Sequence, residues 1–382
     1  MLRTSRVVDV LRYVCVLFAL GTLSFPPSQA RAQWAWRGTN MASVGGYDSN
    51  VGRSSSGSTL QTGGDARLAV FGSIGSRYAH GTTLTRLNVR PYLVSYASLH
   101  DFDRGELFAS GSSEWRASKA LHFDLKERFR YTNFLGRDLD RVLNTLQPRI
   151  VFSRFARLRA AVHYRYLIRT NTRRSIDTSR AHGIGVSVTY SVTSRLSMAG
   201  MLRRDSESIN FIFPRHIGGR RLWIDASARY LLGKNTLIRA KYLFQSDEMD
   251  ILFTPGANFD RLGDSADDFA EGIAQSFRFQ EDSDFNYDKH LFVLSTHTSV
   301  RSGLFADGFL LFQRKRFEEH VLLRPGRPVR LDNTFIAQFA GQYRLRGGYS
   351  LITSVRYERN GSNDPRTDYA YFLTSAGLKR SF

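Results

Sequence analysis

The sequence predicts an all-β fold, a single transmembrane antiparallel β-barrel of about sixteen strands, with short turns at one end and long loops at the other. Three observations carry that expectation. The chain closes on a strand-like segment, residues 367–382, whose last residue is aromatic. Its body breaks into segments of two-residue periodicity joined alternately by short and long connections. Its front reads as an export signal, and no later run is long and apolar enough to span a bilayer as a helix.

In the closing segment, side chains alternate between two faces, as on any strand. Ala370, Phe372, Thr374, Ala376, Leu378 and Phe382 share one parity, and Tyr371, Ser375, Gly377, Lys379 and Ser381 share the other. One face suits lipid and the other suits water. A barrel of the outer membrane needs such a strand to close the cylinder, with its terminal aromatic at the interfacial girdle. Arg380 falls on the apolar parity, near enough to the end for its stem to carry the guanidinium towards headgroups.

At the front, Arg3, Arg6 and Arg12 precede an apolar run over residues 13–25, and Ala30-Arg31-Ala32 supplies a small-residue cleavage pattern. Residues 1–32 are therefore expected to be a signal peptide, and residues 33–382 one barrel domain. Cys15 is the only cysteine and lies inside the signal. The mature chain is thus expected to hold no disulfide, cysteine-ligated metal or thiol nucleophile. Its 28 Phe and 17 Tyr, set against 9 Pro, suit pleated strands more than helices.

The formal charge is +20, and the signal accounts for three of those units through Arg3, Arg6, Arg12 and Arg31 less Asp9. Such a balance ordinarily points to a polyanion. Export argues against nucleic acid. The remaining readings are a lumen for anionic solutes, contact with lipopolysaccharide phosphates, or a general abundance of arginine.

Taken in order, strand-like segments run over residues 41–47, 66–78, 83–97, 106–117, 121–131, 146–152, 157–170, 182–192, 196–204, 222–231, 236–246, 290–300, 304–312, 330–345 and 349–358, with the closing segment as the sixteenth. Short turns follow even-numbered strands and long loops follow odd ones. That rhythm places the termini and short turns on the periplasmic side. Residues 157–170 alternate most cleanly. There Leu158, Ala160, Val162, Tyr164, Tyr166 and Ile168 oppose Arg157, Arg159, His163, Arg165 and Arg169. The longest loop, residues 247–285, could hide one more hairpin at 249–253 and 273–279, which would make eighteen strands.

If lipid takes the apolar parity, Lys126, Arg128, Arg130, Arg149, Arg157, Arg159, Arg165 and Arg169 point inward, as do Arg221 and Arg229 on a later strand. A lipid-facing Arg at mid-depth costs about 2–4 kcal/mol, which drives these residues inside. Arginine rows in a pore favour anions. The bland reading is that they pair with inward acids such as Glu114, Asp124 and Asp225 and merely brace the wall. The two roles are compatible.

The 247–285 loop is acidic, with Asp260, Asp264, Asp267, Asp268 and Glu271 near its centre. Folded inward it would set carboxylates against the basic wall at a constriction. Folded outward it could bind a cation through carboxylate oxygens, although the twelve-residue calcium-loop spacing is missing. A solvated external loop is the plainer expectation. For catalysis, His163 is expected inward and His182 and His290 outward, none paired with a nucleophile at meaningful spacing. Neither Gly-x-Ser-x-Gly nor His-Glu-x-x-His occurs. No enzyme, cofactor or metal is expected.

The stretch Tyr357-Glu358-Arg359-Asn360-Gly361-Ser362-Asn363-Asp364, followed by Asp368-Tyr369 and the closing strand, resembles the end of a family of outer-membrane β-barrel porins associated with exopolysaccharide export. Gly46-Tyr47-Asp48-Ser49-Asn50-Val51 is similar to that family's first-strand exit. The resemblance implies a pore, with passage of a secreted polysaccharide as one use, and it carries over no catalytic or ligand residues. Arg380 departs from the apolar residue usual there. The expected function is a porin-like channel for anionic solutes or polysaccharide, and the alternative is a non-conducting surface barrel for adhesion or envelope assembly. Expected partners are outer-membrane lipid and lipopolysaccharide, polysaccharide with periplasmic export machinery, and the barrel-assembly machinery acting through the C-terminal strand.

Overall fold

The computed structural model describes residues 33–51, 63–98, 103–134, 139–155, 157–171, 178–210, 216–249, 287–320, 326, 328–364 and 368–381. The expected signal peptide, the centre of the acidic loop and Phe382 lie outside the described residues. The strands are β1 (Gln33–Val51), β2 (Gly63–His80), β3 (Thr83–Tyr96), β4 (Arg104–Arg116), β5 (Leu121–Phe134), β6 (Leu139–Phe155), β7 (Leu158–Asn171) and β8 (Thr178–Ser191). They continue with β9 (Leu196–Asn210), β10 (His216–Leu232), β11 (Thr236–Met249), β12 (Tyr287–Arg301), β13 (Leu304–His320), β14 (Val329–Arg344), β15 (Tyr349–Ser362) and β16 (Tyr369–Ser381).

Each strand pairs antiparallel with its neighbours in sequence, and β1 pairs with β16 from Asn40↔Ser381 to Asp48↔Leu373, so the sheet closes. Closure leaves no edge of unpaired backbone groups, which is the condition for a sheet to cross hydrocarbon. β11 pairs directly with β12, from Thr236↔Thr298 to Asp247↔Tyr287. No hairpin stands between them in the wall, and the closed count is sixteen rather than eighteen.

Alternation separates the two faces sharply. Phe339 is 60% exposed on the outside, whereas Gln338 beside it is 6% exposed on the inside. Leu93, Ile184, Leu202, Phe292, Phe312, Phe372 and Leu378 are likewise exposed on the outer parity. An exterior built this way is disfavoured in water and favoured against lipid tails. On β16, Leu373 takes the inner parity and is buried. Arg380 takes the outer parity, with its guanidinium 5.2 Å from the ring centre of Tyr349. Glu127 on β5 interrupts the apolar face and accepts a 3.4 Å hydrogen bond from Asn144 Nδ2.

Short turns are stabilised by residues suited to each geometry. The Ser118 hydroxyl accepts from the backbone N–H groups of Ala120 and Leu121, and Thr193 does the same for Arg195 and Leu196. These are the side-chain turns that Ser and Thr form readily. The β14–β15 turn uses Gly347 and Gly348, both at positive φ, where a Cβ would be strained.

Several strands run further than their apolar periodicity. β9 continues through Asp205 to Asn210, and β6 begins at Leu139 rather than near residue 146. In β9 the extension carries Asp205, Ser206, Glu207 and Ser208, polar on both faces, and in β6 Leu139, Val142 and Leu143 are interrupted by Asp140 and Arg141. The backbone ladder persists there without leaving a hydrophobic pattern to read.

Candidate functional site, the inner wall of the barrel

The inner face is a dense charged lining. Lys126, Arg128 and Arg130 on β5, Arg149 on β6, Arg159, Arg165 and Arg169 on β7, and Arg221 and Arg229 on β10 all occupy inward parities. Arg157 lies in the β6–β7 turn and is exposed. Inward residues that the sequence reading passed over include Arg203, Arg239, Lys241, Lys289, Lys315, Arg330 and Arg356. The same two-residue alternation, extended to β9 and β11–β15, would have named them. Among the described side chains the inward carboxylates include Asp65, Glu106, Glu114, Asp124, Asp205, Glu207, Asp225, Asp247, Asp307, Asp332 and Glu358, and inward cations outnumber them.

Most of those carboxylates hold a cation from a neighbouring strand or from their own. Glu106 accepts from Arg130 at 2.7 Å, and Asp124 takes Arg149 together with Arg159 at 3.8 Å. Asp225 meets Lys241 at 2.6 Å, Asp332 meets Arg330 at 2.6 Å, and Glu358 accepts from Arg356 and from the Tyr369 hydroxyl. Glu114 contacts Arg116 and the His122 ring. Bracing of the wall by ion pairs is therefore present, as one of the two readings required.

The tightest knot surrounds Asp205, which is 1% exposed. One carboxylate oxygen accepts from Arg165 Nη1 at 2.9 Å, Trp223 Nε1 at 3.0 Å and Arg203 Nε at 3.2 Å. The Arg203 guanidinium stacks 4.6 Å from the Trp223 ring centre, a cation–π contact. Next to it Arg221 donates to Glu207 at 2.8 Å and lies 3.6 Å from Asp247. Arg165 and Arg221 are thus buried and engaged, while Arg159 keeps about half its side chain exposed and Arg229 is exposed.

Two glycines make that packing possible. A Cβ on Gly183 would fall 1.8 Å from Asp205 Oδ1, and one on Gly185 would fall 2.4 Å from His163 Nε2. Asp205 is pinned by three donors and has nowhere to move. Gly183→Val is expected to cost about 1–3 kcal/mol through overpacking, seen as a lowered urea midpoint of the micelle-bound barrel. An unchanged midpoint would show that the knot is loose.

His163 is buried in the wall, and neither ring nitrogen has a hydrogen-bond partner among the described residues. His182 and His290 lie on the outer face, where Nδ1 of each meets a tyrosine hydroxyl, Tyr164 at 2.5 Å and Tyr242 at 2.8 Å. The loop carboxylates Asp260, Asp264, Asp267, Asp268 and Glu271 fall outside the described residues.

Two patches of the described inner face are apolar: a smaller one of Ala69, Tyr92, Val94 and Tyr96 on β2 and β3, and a larger one on the far wall. Trp223, Leu243, Leu291, Val293, Leu311 and Ile336 form a buried apolar cluster on the inward parities of β10–β14. A signal for it was present in the sequence: residues 291–294 and 309–312 are apolar on both parities, as strands buried on both faces are.

No protein-family model and no curated protein matches the chain. Among solved structures, it is similar to the outer membrane protein opdK from Pseudomonas aeruginosa, at a TM-score of 0.50 and 8% identity, covering 91% of this chain and 98% of that one. Acinetobacter baumannii OccAB4 gives 0.47 at 9% identity, covering 94% and 100%. A bacterial polysaccharide outer membrane secretin gives 0.44 at 7% identity, covering 90% and 98%. At these identities the likeness to opdK speaks for the barrel fold alone.

Proposed function

We propose that this chain is a channel in the outer membrane of a Gram-negative bacterium, exported by a signal at residues 1–32, through which anionic solutes pass passively. The observation that carries the reading is the excess of cations over carboxylates among the described residues of the inner wall, with Arg159 and Arg229 still exposed after the ion pairs are made. A polar lumen lined this way lowers the electrostatic cost of entry for an anion and raises it for a cation. The reading is non-enzymatic. Transit of an acidic polysaccharide, supplied by periplasmic export machinery, belongs to the same proposal, since uronate carboxylates would meet the same charges. So does recognition of β16 by the barrel-assembly machinery.

A second reading is a barrel that does not conduct and presents its loops to the surface. The buried apolar cluster around Trp223 favours it, because a wide aqueous pore has no use for such a patch. Proteoliposome swelling separates the two. The channel reading expects faster swelling in a small dicarboxylate than in a diamine of equal size. Absence of swelling in either solute would favour the closed barrel.

A further inference from the structure

We propose that Ser153, His122 and Glu114 form a hydrolytic site on the inner wall, at the short-turn end of the barrel, acting on carboxylic esters of small anionic solutes. The three residues come from adjacent strands, β6, β5 and β4, and share the inward parity. The ladder brings them together. Arg116 pairs with His122, His122 pairs with Val151, and the Ser153 backbone N–H donates to the Ala120 carbonyl at 2.8 Å. The Ser153 hydroxyl lies 2.9 Å from His122 Nε2, and His122 Nδ1 lies 3.4 Å from Glu114 Oε1. Glu114 is held in its turn by Arg116 Nε, at 3.1 Å. All three side chains are partly exposed, so a solute in the lumen can reach the hydroxyl. Sequence spacing does not announce the set, because positions 114, 122 and 153 meet only through strand register.

A histidine that takes the serine proton at Nε2 must carry its own proton on Nδ1. A carboxylate facing Nδ1 fixes that tautomer and stabilises the imidazolium that follows. The 3.4 Å separation is long for a hydrogen bond, as such contacts often are before substrate binds. In the first step Ser153 Oγ bonds to the ester carbonyl carbon while its proton passes to His122 Nε2. Collapse breaks the bond to the alcohol oxygen, and the alcohol leaves with that proton. Water then gives a proton to Nε2 and attacks the acyl carbon, which breaks its bond to Oγ. Ser153 regains its proton, and the sum is ester plus water to acid plus alcohol. Arg159 supplies the preference for an anion. It adjoins Ala160, which pairs with Phe152 next to Ser153, and about half its side chain is exposed. The activity adds to passage through the lumen and needs no through-path, since the site lies at the mouth bounded by the short turns.

The test treats the folded barrel in uncharged detergent with a fluorophosphonate, whose phosphorus bonds to Oγ as fluoride leaves, and locates the label by peptide mass spectrometry. Label on Ser153 of the folded chain, absent from Ser153→Ala and from a heat-unfolded sample, is expected. His122→Ala should slow labelling by about a hundredfold or more, the contribution of a general base. Glu114 touches no reacting atom and is a positioning residue. Glu114→Gln should slow labelling, and Glu114→Asp should recover part of the rate. Turnover is read with para-acetoxybenzoate against its methyl ester, and a higher kcat/KM for the anion, lost in Arg159→Gln, is expected. Equal labelling of folded and unfolded samples, label on another serine, or a rate unchanged in His122→Ala would overturn the proposal. Equal kcat/KM for the two esters would overturn the anionic substrate. Mapping uses the unmodified chain, so it stands even if a variant fails to fold. Labelling in detergent needs no ion path, which keeps this proposal separate from the conduit reading.

Discussion

Asp205→Ala is expected to lower the unfolding free energy of the barrel by about 3–5 kcal/mol, the range for removing one partner of a buried ion pair. Its carboxylate is almost wholly buried and is shared by Arg165, Arg203 and the Trp223 indole. Alanine would leave two buried guanidiniums with less compensation and an indole N–H without its acceptor. Desolvation is already incurred in the native wall, so the loss falls on the folded state. Asp205→Asn keeps the shape and one acceptor and should cost distinctly less. Urea unfolding in detergent, followed by the shift in gel mobility between folded and heated samples, would measure both. A change of under about 0.5 kcal/mol for the alanine variant would place it among ordinary surface substitutions and contradict the knot as described.

Arg159→Glu combined with Arg229→Glu is expected to turn ion preference away from anions. Both side chains face the lumen and are exposed, so the substitutions alter the field met by a permeating ion without dismantling a buried pair. In water, one unit charge acts on an ion at about 8 Å with roughly 0.5 kcal/mol. Four units of change give about 2 kcal/mol, and screening at 0.1 M salt removes about half of it; the remaining ~1 kcal/mol opposes an anion and favours a cation, which is roughly a thirtyfold change in the anion-to-cation permeability ratio. Arg165→Ala should act differently, chiefly on stability, because that guanidinium is spent on Asp205. A selectivity unchanged in the double variant would mean that the ion path does not pass these two positions.

The architecture was legible because a lipid-facing strand must alternate. Residues 158–168 advertise β7 by themselves, and the short-then-long rhythm of connections gave the strand count and direction. The ends of strands were not legible where the outer face turns polar, as in β9 beyond Arg204. The eighteen-strand option came from a segment whose apolar residues carry no information about what they pair with; the direct β11–β12 ladder settles the wall. For the inner face, parity gave the inward direction of the arginines that lie on strands, missed that Arg157 falls in a turn, and could not say which would be held in ion pairs. Arg165 and Arg159 look alike on one strand, yet one meets Asp205 from β9 and the other stays open, and that difference depends on cross-strand register. The glycines at 183 and 185 are intelligible only once Asp205 and His163 are seen lying over them.

The most direct test of the conduit account is the reversal potential of the refolded mature chain in a planar bilayer under a tenfold potassium chloride gradient. A steady conductance whose reversal potential has the sign of chloride preference, moving towards zero in the Arg159→Glu, Arg229→Glu double variant, is the predicted result. A folded barrel that passes no current, or one that prefers potassium, would contradict it.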